Sequence, residues 1–333
     1  MKELERRRKF TIERTSTVVG QLEDSRELIG NAACVYATGS FGRLEASEYS
    51  DLDIFIVGRD RVDTEGIPTG QSQLSHLDEI CIKADLIEAI RTLKIPDFDG
   101  DGRYLIHRPI SDFVTSLGTP EDDAHNTFTA RLLMLLESRP LLGVETYRDA
   151  IDDIVAAYWR DYKDHKNNFV PAFLSNDILR LWRTFCVNYE ARTQRTPEEK
   201  RAKGKLKNYK LRHSRILTCY STILMLLHIF GKYGTVTPKD MVEMTRLTPL
   251  ERLQTLMRQR SLGPAKEPIR QLFEQYNVFL EKTNEPEGMM LLKFSHPEKS
   301  RELSADAATF GDLMFAAISE VGAGSHFHRM LLV

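Results

Sequence analysis

The segment from Gly39 to Asp53 constrains this 333-residue chain more than any other part of it. A small-residue turn, Gly39-Ser40, separates two apolar runs, and Asp51 and Asp53 stand at the start of the second run. Because side chains alternate faces along a strand, we expect the two aspartates on one face. Paired carboxylates at a strand end suit Mg²⁺, which prefers oxygen ligands and bridges to phosphates. A glycine lets the backbone approach phosphate oxygens closely, and Ser40 adds a hydroxyl. The pattern therefore predicts a metal-dependent phosphate site.

The whole pattern, G-S-x-G-R-x-E-x-S…S-D-x-D, resembles the nucleotidyltransferases of the DNA polymerase beta superfamily. Within that superfamily it is most similar to the domain of PII-protein uridylyltransferases and to related bacterial enzymes, including anti-phage nucleotidyltransferases. The resemblance implies transfer of a nucleoside monophosphate from an NTP or dNTP to an acceptor, with release of pyrophosphate. It also implies that Gly39 and Ser40 hold the triphosphate, and that Asp51 and Asp53 hold two Mg²⁺ ions, with Mn²⁺ as an alternative.

A simpler interpretation of Asp51 and Asp53 is that they only cap and solubilise a strand edge, since surface carboxylates are ordinary. The Gly-Ser turn, Arg43 and the two flanking apolar runs favour the phosphate site instead. We expect Arg43 to brace the turn through Glu45 or Glu48 and not to contact the nucleotide.

A third carboxylate, which chemistry of this type usually needs, is ambiguous in the sequence. The strand predicted over residues 103–107 carries no acid, but Asp99 and Asp101 precede it in a glycine-rich turn. We favour Asp101 as the third catalytic acid because it is nearer the strand, with Asp99 as the alternative. Both are equally typical of an ordinary turn. Glu79 and Asp85 are less favoured, because the predicted helix would turn them to solvent.

Hydrophobic periodicity divides the chain near residue 118. Before it we predict helices over 2–30 and 74–93, strands over 33–38, 52–57 and 103–107, and a loop over 58–72. After it the pattern is almost wholly helical. The first helix of this part is predicted to begin at Thr119-Pro120 and to end near Pro140. We therefore predict an α+β fold, with a small mixed β-sheet nucleotidyltransferase domain and flanking helices over 1–118. An all-helical domain over 119–333 would complete the nucleotide cleft.

Apolar stripes at three- and four-residue spacing predict which helix faces lie in the core. In the helix over 74–93 the stripe consists of Leu77, Ile80, Cys81, Ala84, Ile87 and Ile90. Trp159 and Trp182 also fall within apolar helical stripes, and we predict that both are core residues and not platforms for base stacking.

The segment 200–215 is rich in lysine and arginine and contains no acid. On a helix, Lys210 and Ser214 would lie next to each other on one face. Related nucleotidyltransferases often place lysine and serine on such a helix, so the resemblance implies that these two residues bind the β- and γ-phosphates. The alternatives are a solvated basic surface and a track for an oligonucleotide, with Tyr209 able to stack on a base.

Composition limits the cellular setting and the partners. The formal net charge of −2 provides no global attraction for nucleic acid, so any polyanion site must be a local basic patch. Four widely spaced cysteines without a C-x-x-C pair are typical of a reducing compartment. The N-terminus lacks the apolar core of a signal peptide, and no segment is expected to span a membrane. We therefore expect a cytoplasmic protein without a membrane partner.

The acceptor stays open at the level of sequence. The basic segment favours a nucleotide or oligonucleotide, giving a signal molecule or a short polymer. The uridylyltransferase resemblance favours a protein side chain, although no metal-hydrolase motif follows, and a small molecule is a third option. An effector or regulatory protein is a further candidate partner. From another functional class, a catalytically silent nucleotide-binding module would fit the missing third acid.

Overall fold

The computed structural model describes residues 2–98, 102, 105–193 and 198–332, and of residues 191–193 and 198–200 it describes the backbone only. The chain divides into two compact units, Glu5–Arg160 and Asp161–Val333 with Met1–Leu4. The first unit is a mixture of helices and strands, and the second is helical throughout its described residues. The predicted fold class, a small mixed sheet with flanking helices followed by a helical region, is confirmed.

The first unit carries all the strands of the described residues. Its helices, of which α1 begins before Glu5, are α1 (Lys2–Gly20), α2 (Glu23–Ile29), α3 (Gly39–Gly42), α4 (His76–Thr92), α5 (Ile110–Thr115), α6 (Pro120–Ala124), α7 (Thr127–Glu137) and α8 (Val144–Tyr158). Its strands are β1 (Ala33–Ala37), β2 (Ile54–Gly58), β3 (Asp60–Val62), β4 (Pro68–Ser72), β5 (His107–Pro109) and β6 (Arg139–Leu142).

The central sheet has the strand order β5-β2-β1-β6. Strand β1 runs antiparallel to β2 and β6, whereas β5 runs parallel to β2. On one face of the sheet Val35, Ile54 and Ile56 belong to the same buried cluster as Ile82 and Leu86 of α4. The sheet therefore holds the two predicted apolar runs side by side, with the Gly39–Asp53 segment connecting them.

Strand β6 was not predicted, and it moves the boundary between the units. Pro140 pairs with Tyr36 of β1, and a proline is tolerated there because β6 is an edge strand with no neighbour on its other side. The predicted helix over residues 119–138 is divided into α6 and α7 at Asn126, which adopts φ 58°. Because β6 completes the sheet, the first unit extends to Arg160 and does not end at residue 118.

The segment 58–72, predicted as a loop, forms the two-stranded hairpin β3–β4. The Asp63 carboxylate accepts hydrogen bonds from the amides of Glu65 and Ile67, both at 2.9 Å. These local bonds close the turn, as expected of aspartate at a turn start. The sequence did not indicate the strands because β4, Pro68–Ser72, has no apolar residue.

Two other boundaries differ from the prediction. The helix expected over 2–30 is divided into α1 and α2 after Gly20, although Gly30 does end α2 with φ 46°. The strand expected over 103–107 is observed at His107–Pro109, and residues 103 and 104 lie outside the described part of the chain.

Helix α4 buries only part of the predicted stripe, in which Ile90 is buried and Ile87 packs against the core. Leu77 and Ile80 of the predicted stripe are 74% and 50% exposed, and Cys81 and Ala84 are exposed as well. The buried side chains are Ile82, Leu86, Ala89 and Ile90. The helix has two apolar stripes, so helical periodicity could not decide which of them meets the sheet.

The second unit consists of helices α9 (Ala172–Thr193), α10 (Glu198–Lys210), α11 (Ile216–Tyr233), α12 (Pro238–Thr245), α13 (Pro249–Met257), α14 (Lys266–Lys282), α15 (Glu287–Ser295), α16 (Pro297–Gly322) and α17 (His326–Met330). Short 3₁₀ turns lie at Tyr162–Asp164 and Arg260–Leu262. A π-helix, Leu211–Arg215, joins α10 to α11 without a break in the helical path.

The continuous helical stretch Arg201–Tyr233 contains an 18-residue window with a mean hydropathy of 1.3, so by length and composition it could cross a membrane. The expectation that no segment spans a membrane stays a prediction. Of that window, 67% is buried inside the protein. Core packing of α11 accounts for its apolar composition.

His213, in the π-helix, packs within an aromatic cluster of the second unit. Its ring stacks on Phe279 at a centroid distance of 4.4 Å and lies 5.0 Å from Phe310. One ring nitrogen, Nδ1, bonds the Tyr209 carbonyl oxygen at 2.9 Å, which makes Nδ1 the protonated nitrogen of the neutral ring. Burial lowers the pKa of His213 to about 4.

We expect stability to fall as the pH drops from 6.5 to about 4. In this window the unfolded chain protonates His213 while the folded protein keeps it neutral, so protons favour unfolding. The full shift corresponds to about 3 kcal/mol of unfolding free energy. Urea titrations across this range would measure the slope. The variant His213→Phe retains the ring and should flatten the pH dependence; an unchanged slope would assign it to other groups.

Candidate functional site

Asp51 and Asp53 lie immediately before β2 and face away from the core. Burial alternates along this stretch, with Asp51 exposed, Leu52 2% exposed, Asp53 half-buried and Ile54 3% exposed. The two-residue period of the strand therefore begins before its hydrogen-bonded ladder. The backbone is held to the preceding turn, because the Thr38 amide donates to the Asp53 carbonyl oxygen at 2.9 Å. Both acids thus project to one side, as the sequence predicted.

Gly39 brings the turn into direct contact with Asp53. A Cβ on Gly39 would lie 2.5 Å from Asp53 Oδ2, a separation that real side chains do not tolerate. Gly39 also has φ +63°, in the left-handed region that favours glycine. Glycine is therefore needed here for the approach of the Asp53 carboxylate as well as for the turn.

A buried charge cluster, defined as Arg43, Glu45 and Glu137, holds the turn from behind. Arg43 donates to Glu45 at 2.9 Å and to Glu137 at 2.8 Å, which confirms that Arg43 braces the turn through Glu45. The other oxygen of Glu137, Oε1, accepts the Gly39 amide at 3.1 Å. The Glu137 side chain is fully buried. The Gly39 amide is thus already bonded, whereas the neighbouring Ser40 is half-exposed.

Helix α1 fixes the chain that follows the turn. Arg7 donates to the Glu45 carbonyl oxygen at 3.0 Å, and the Thr11 hydroxyl accepts the Ala46 amide at 2.9 Å. Both contacts are buried. The backbone between the turn and the aspartate pair is therefore anchored at two points, as a site that must hold its geometry requires.

The candidate third acids have different positions. Asp101 and the alternative Asp99 lie outside the described residues, so the prediction of a third acid stays a prediction. Glu79 and Asp85 each have a partner on another element. Glu79 bonds His107 at 3.3 Å, and Asp85 accepts from the Ser25 hydroxyl at 2.7 Å.

Lys210 and Ser214 belong to the second unit. Lys210 is exposed at the end of α10, and Ser214 is half-exposed within the π-helix. Their binding of phosphates stays a prediction. Tyr209, by contrast, is 3% exposed and packs against Phe279 and Phe294, so the alternative in which Tyr209 stacks on a base is wrong.

Glu137 is the residue that sequence reasoning missed. It lies 98 residues beyond Gly39, at the end of α7, and nothing in its local sequence distinguishes it from a surface acid. The only hint is that a guanidinium can bond two acids at once, whereas the motif predicted a single partner for Arg43, either Glu45 or Glu48.

The residues present fit a divalent cation shared with phosphate oxygens. Carboxylates are the preferred ligands of Mg²⁺, which usually binds through one or two of them and completes its shell with water and phosphate. The Asp51 and Asp53 pair, one exposed and one against the glycine turn, supplies such donors. No cluster of three or more potential metal ligands occurs among the described residues. The pair therefore fits a site that the substrate's phosphates help to complete.

Comparison with known proteins identifies the domain that contains this site. Neither a search of curated proteins nor a search of solved structures found a significant match. Residues 20–115 match the family model described as a nucleotidyltransferase domain. The matched range contains β1, the Gly39-Ser40 turn, the aspartate pair and β2. Residues 20–115 of this chain, which hold the candidate site, are thus similar to nucleotidyltransferase domains.

Proposed function

We propose that the protein is a Mg²⁺-dependent nucleotidyltransferase that transfers a nucleoside monophosphate from an NTP or dNTP to a hydroxyl acceptor. The observation that carries this proposal is the contact of Gly39 with the Asp53 carboxylate inside the matched domain. It places the Gly39-Ser40 turn beside an acid at the start of β2 that would bind the metal. The acceptor that we favour is a nucleotide or an oligonucleotide.

In this proposal each residue of the domain has a separate task. Asp51 and Asp53 hold Mg²⁺, which when bound neutralises the triphosphate and orients the acceptor hydroxyl toward the α-phosphorus. Ser40 donates its hydroxyl to a phosphate oxygen. The proton of the acceptor hydroxyl passes to Asp101, or to Asp99, as the new phosphate ester forms and pyrophosphate leaves. This assignment is supported by the resemblance and by the position of both acids shortly before β5 in the sequence.

The helical second unit would supply Lys210 and Ser214 to the β- and γ-phosphates. Lysine provides a point charge to phosphate, and serine a directed hydrogen bond. A cytoplasmic location and a role in anti-phage defence belong to the same proposal, through the resemblance to bacterial enzymes of that kind. An effector or regulatory protein would then control the activity.

A catalytically silent nucleotide-binding module is the second candidate. One observation favours it, the lack of a third acid near the aspartate pair in the described part of the chain. A protein-modifying uridylyl- or adenylyltransferase is the alternative within the enzyme class.

Incubation with each α-labelled NTP and dNTP and Mg²⁺ would distinguish these functions. The proposed function predicts pyrophosphate release together with a labelled nucleotide product. Label on protein would instead indicate a protein acceptor. Each candidate acceptor would be added in turn. If nucleotide binding is saturable but no pyrophosphate is released with any acceptor, the protein is the silent module and the proposal is contradicted.

We expect Glu137→Gln to lower the transfer rate by about tenfold to a hundredfold, chiefly in kcat. Glutamine can still accept the Gly39 amide, but it removes the charge that holds Arg43, so the turn loses its second anchor. Steady-state kinetics would separate kcat from KM. The matched control Glu145→Gln alters an exposed acid of α8 and should leave both constants unchanged. An effect on thermal stability with unchanged kcat would show that Glu137 supports only the fold.

A further inference from the structure

The second unit has a surface that combines arginines with partly exposed aromatic rings on α9, the π-helix and α11. We call it the arginine–aromatic surface, and its members are Trp182, Arg183, Phe185, Arg212, Arg215 and Tyr220. Arg183 is exposed, and the other five are half-buried. Sequence reasoning placed Trp182 in the core, but only the other tryptophan, Trp159, is buried, at 3% exposure.

Contacts join these side chains in pairs, and Trp182 and Phe185 lie three residues apart on one face of α9. The Arg215 guanidinium lies over the Phe185 ring at 5.1 Å from its centroid. The rings of Trp182 and Tyr220 meet edge to face at 6.2 Å. Burial raises the pKa of Tyr220 to about 12, and the charge of Arg183 opposes that rise. The patch therefore alternates cations with π-faces.

Two of the arginines have no carboxylate partner in the described chain. Arg183 and Arg212 take part in none of the ion pairs found between described residues, whereas Arg43, Arg131 and Arg180 each have a carboxylate partner. Burial raises the pKa of the Cys186 thiol, and the charge of Arg212 opposes this rise across α9. In the π-helix, Arg215 lies over Phe185 of α9, whereas His213 is 1% exposed. Inserted turns of this kind are frequent at functional sites.

We propose that the arginine–aromatic surface binds single-stranded nucleic acid, whose bases stack on the rings and whose phosphates contact the arginines. Aromatic side chains accept any base by stacking, and arginine binds phosphate through paired donors and also stacks on bases. A double helix would present phosphates but would keep its bases from the rings. The inference rests on the proposed function and deepens it, because it names a single-stranded oligonucleotide as acceptor or product.

The two tryptophans allow a direct test with the full-length chain, without Mg²⁺ or NTP. Binding of a short oligothymidylate or oligouridylate should quench the fluorescence of Trp182. We expect the quench to disappear in Trp182→Phe and to persist in Trp159→Phe, which changes only the buried tryptophan. A quench that persists in Trp182→Phe would overturn the proposal.

Charge reversal tests the arginines independently. The double variant Arg183→Glu/Arg212→Glu should weaken oligonucleotide binding, measured by fluorescence anisotropy, by about tenfold or more. It should also reduce the magnitude of the slope of log K, where K is the binding constant, against the logarithm of salt concentration, by about 0.7 for each lost phosphate contact. The matched control Lys239→Glu/Arg301→Glu changes the charge equally at exposed positions of α12 and α16 and should bind normally.

Competitors test the chemistry of the ligand. An abasic oligonucleotide should bind more weakly than oligothymidylate, because it lacks the stacking groups. Equal affinity for the abasic strand, or equal displacement by polyaspartate, would overturn the proposal in favour of a general polyanion surface. Absence of any oligonucleotide binding would overturn it as well. Since no turnover is measured, these outcomes leave the nucleotidyl-transfer assay with mononucleotides as a separate test of the proposed function.

Discussion

Replacing Asp53 with asparagine is expected to reduce nucleotidyl transfer on the order of a thousandfold, while the chain stays folded. Asparagine has nearly the same shape as aspartate and keeps the backbone bond to Thr38, which uses the Asp53 carbonyl oxygen. What it loses is the negative charge needed to bind Mg²⁺. Loss of a metal ligand removes several kcal/mol of transition-state stabilisation, and each 1.36 kcal/mol corresponds to about a factor of ten in rate.

The same loss is expected for Asp51→Asn, because both carboxylates lie on the side of the strand that faces away from the core. Asp152→Asn is the matched control, since it removes an exposed aspartate of α8 far along the chain. Pyrophosphate release measures activity, and thermal unfolding with and without Mg²⁺ and NTP separates binding from chemistry. If either variant retained most of its Mg²⁺-dependent activity, the assignment of that aspartate as a metal ligand would be wrong.

Replacing Arg131 with methionine is expected to destabilise the first unit by about 3–5 kcal/mol, because it leaves the charge of Asp122 buried without a partner. Both side chains are fully buried and joined by two hydrogen bonds, at 2.9 and 2.5 Å. Arg131 also donates to the Phe113 carbonyl oxygen and to the Tyr158 hydroxyl, at 3.1 and 3.2 Å. It thereby joins α5, α6, α7 and α8.

The pair has a predictable dependence on pH. Burial by itself would raise the pKa of Asp122, but the hydrogen bonds and charge of Arg131 lower it below its ordinary value. The stability that this pair adds is therefore present above the ordinary aspartate pKa and is lost as the pH falls through the lower, folded-state value. In Arg131→Met the buried carboxyl should instead take up a proton more readily, so acid should destabilise this variant less.

Urea unfolding followed by Trp159 fluorescence would measure the effect in a Trp182→Phe background, where Trp159 is the remaining tryptophan and lies in the first unit. The double variant Arg131→Met/Asp122→Leu removes both charges and should recover much of the lost stability. A single variant as stable as the double variant would show that the buried charge costs little. Since α7 carries both Arg131 and Glu137, the test also measures how firmly the site's anchor is held.

Local sequence was enough to predict the centre of the site. The Gly39-Ser40 turn, Arg43, Glu45 and the aspartate pair lie within fifteen consecutive residues, and their geometry depends on strand alternation and on the freedom of glycine. Both are properties of a short piece of backbone. For that reason the strands before and after the turn and the outward direction of the acids could be derived without a structure. The partner of Arg43 could be narrowed to Glu45 or Glu48, and the structure shows that it is Glu45.

Contacts between segments that are distant in the chain could not be predicted from the sequence pattern. The closure of the sheet by β6, the burial of Ile82 and not Ile80 in α4, and the Glu137 anchor each require knowledge of which surface packs on which. The same holds for the aromatic residues, since the π-helix buries Tyr209 while Trp182 stays half-exposed.

The sequence by itself therefore determined the Gly39-Ser40 turn, the acid pair and the division into a mixed and a helical part, because these follow from local backbone preferences and hydrophobic periodicity. Only the tertiary structure decided where the first unit ends, which helix faces are buried and which acid holds the turn. Those choices depend on the packing free energy between elements that are far apart in the chain. The local sequence of a helix with two apolar faces, or of a single acid such as Glu137, does not show which distant element it will contact.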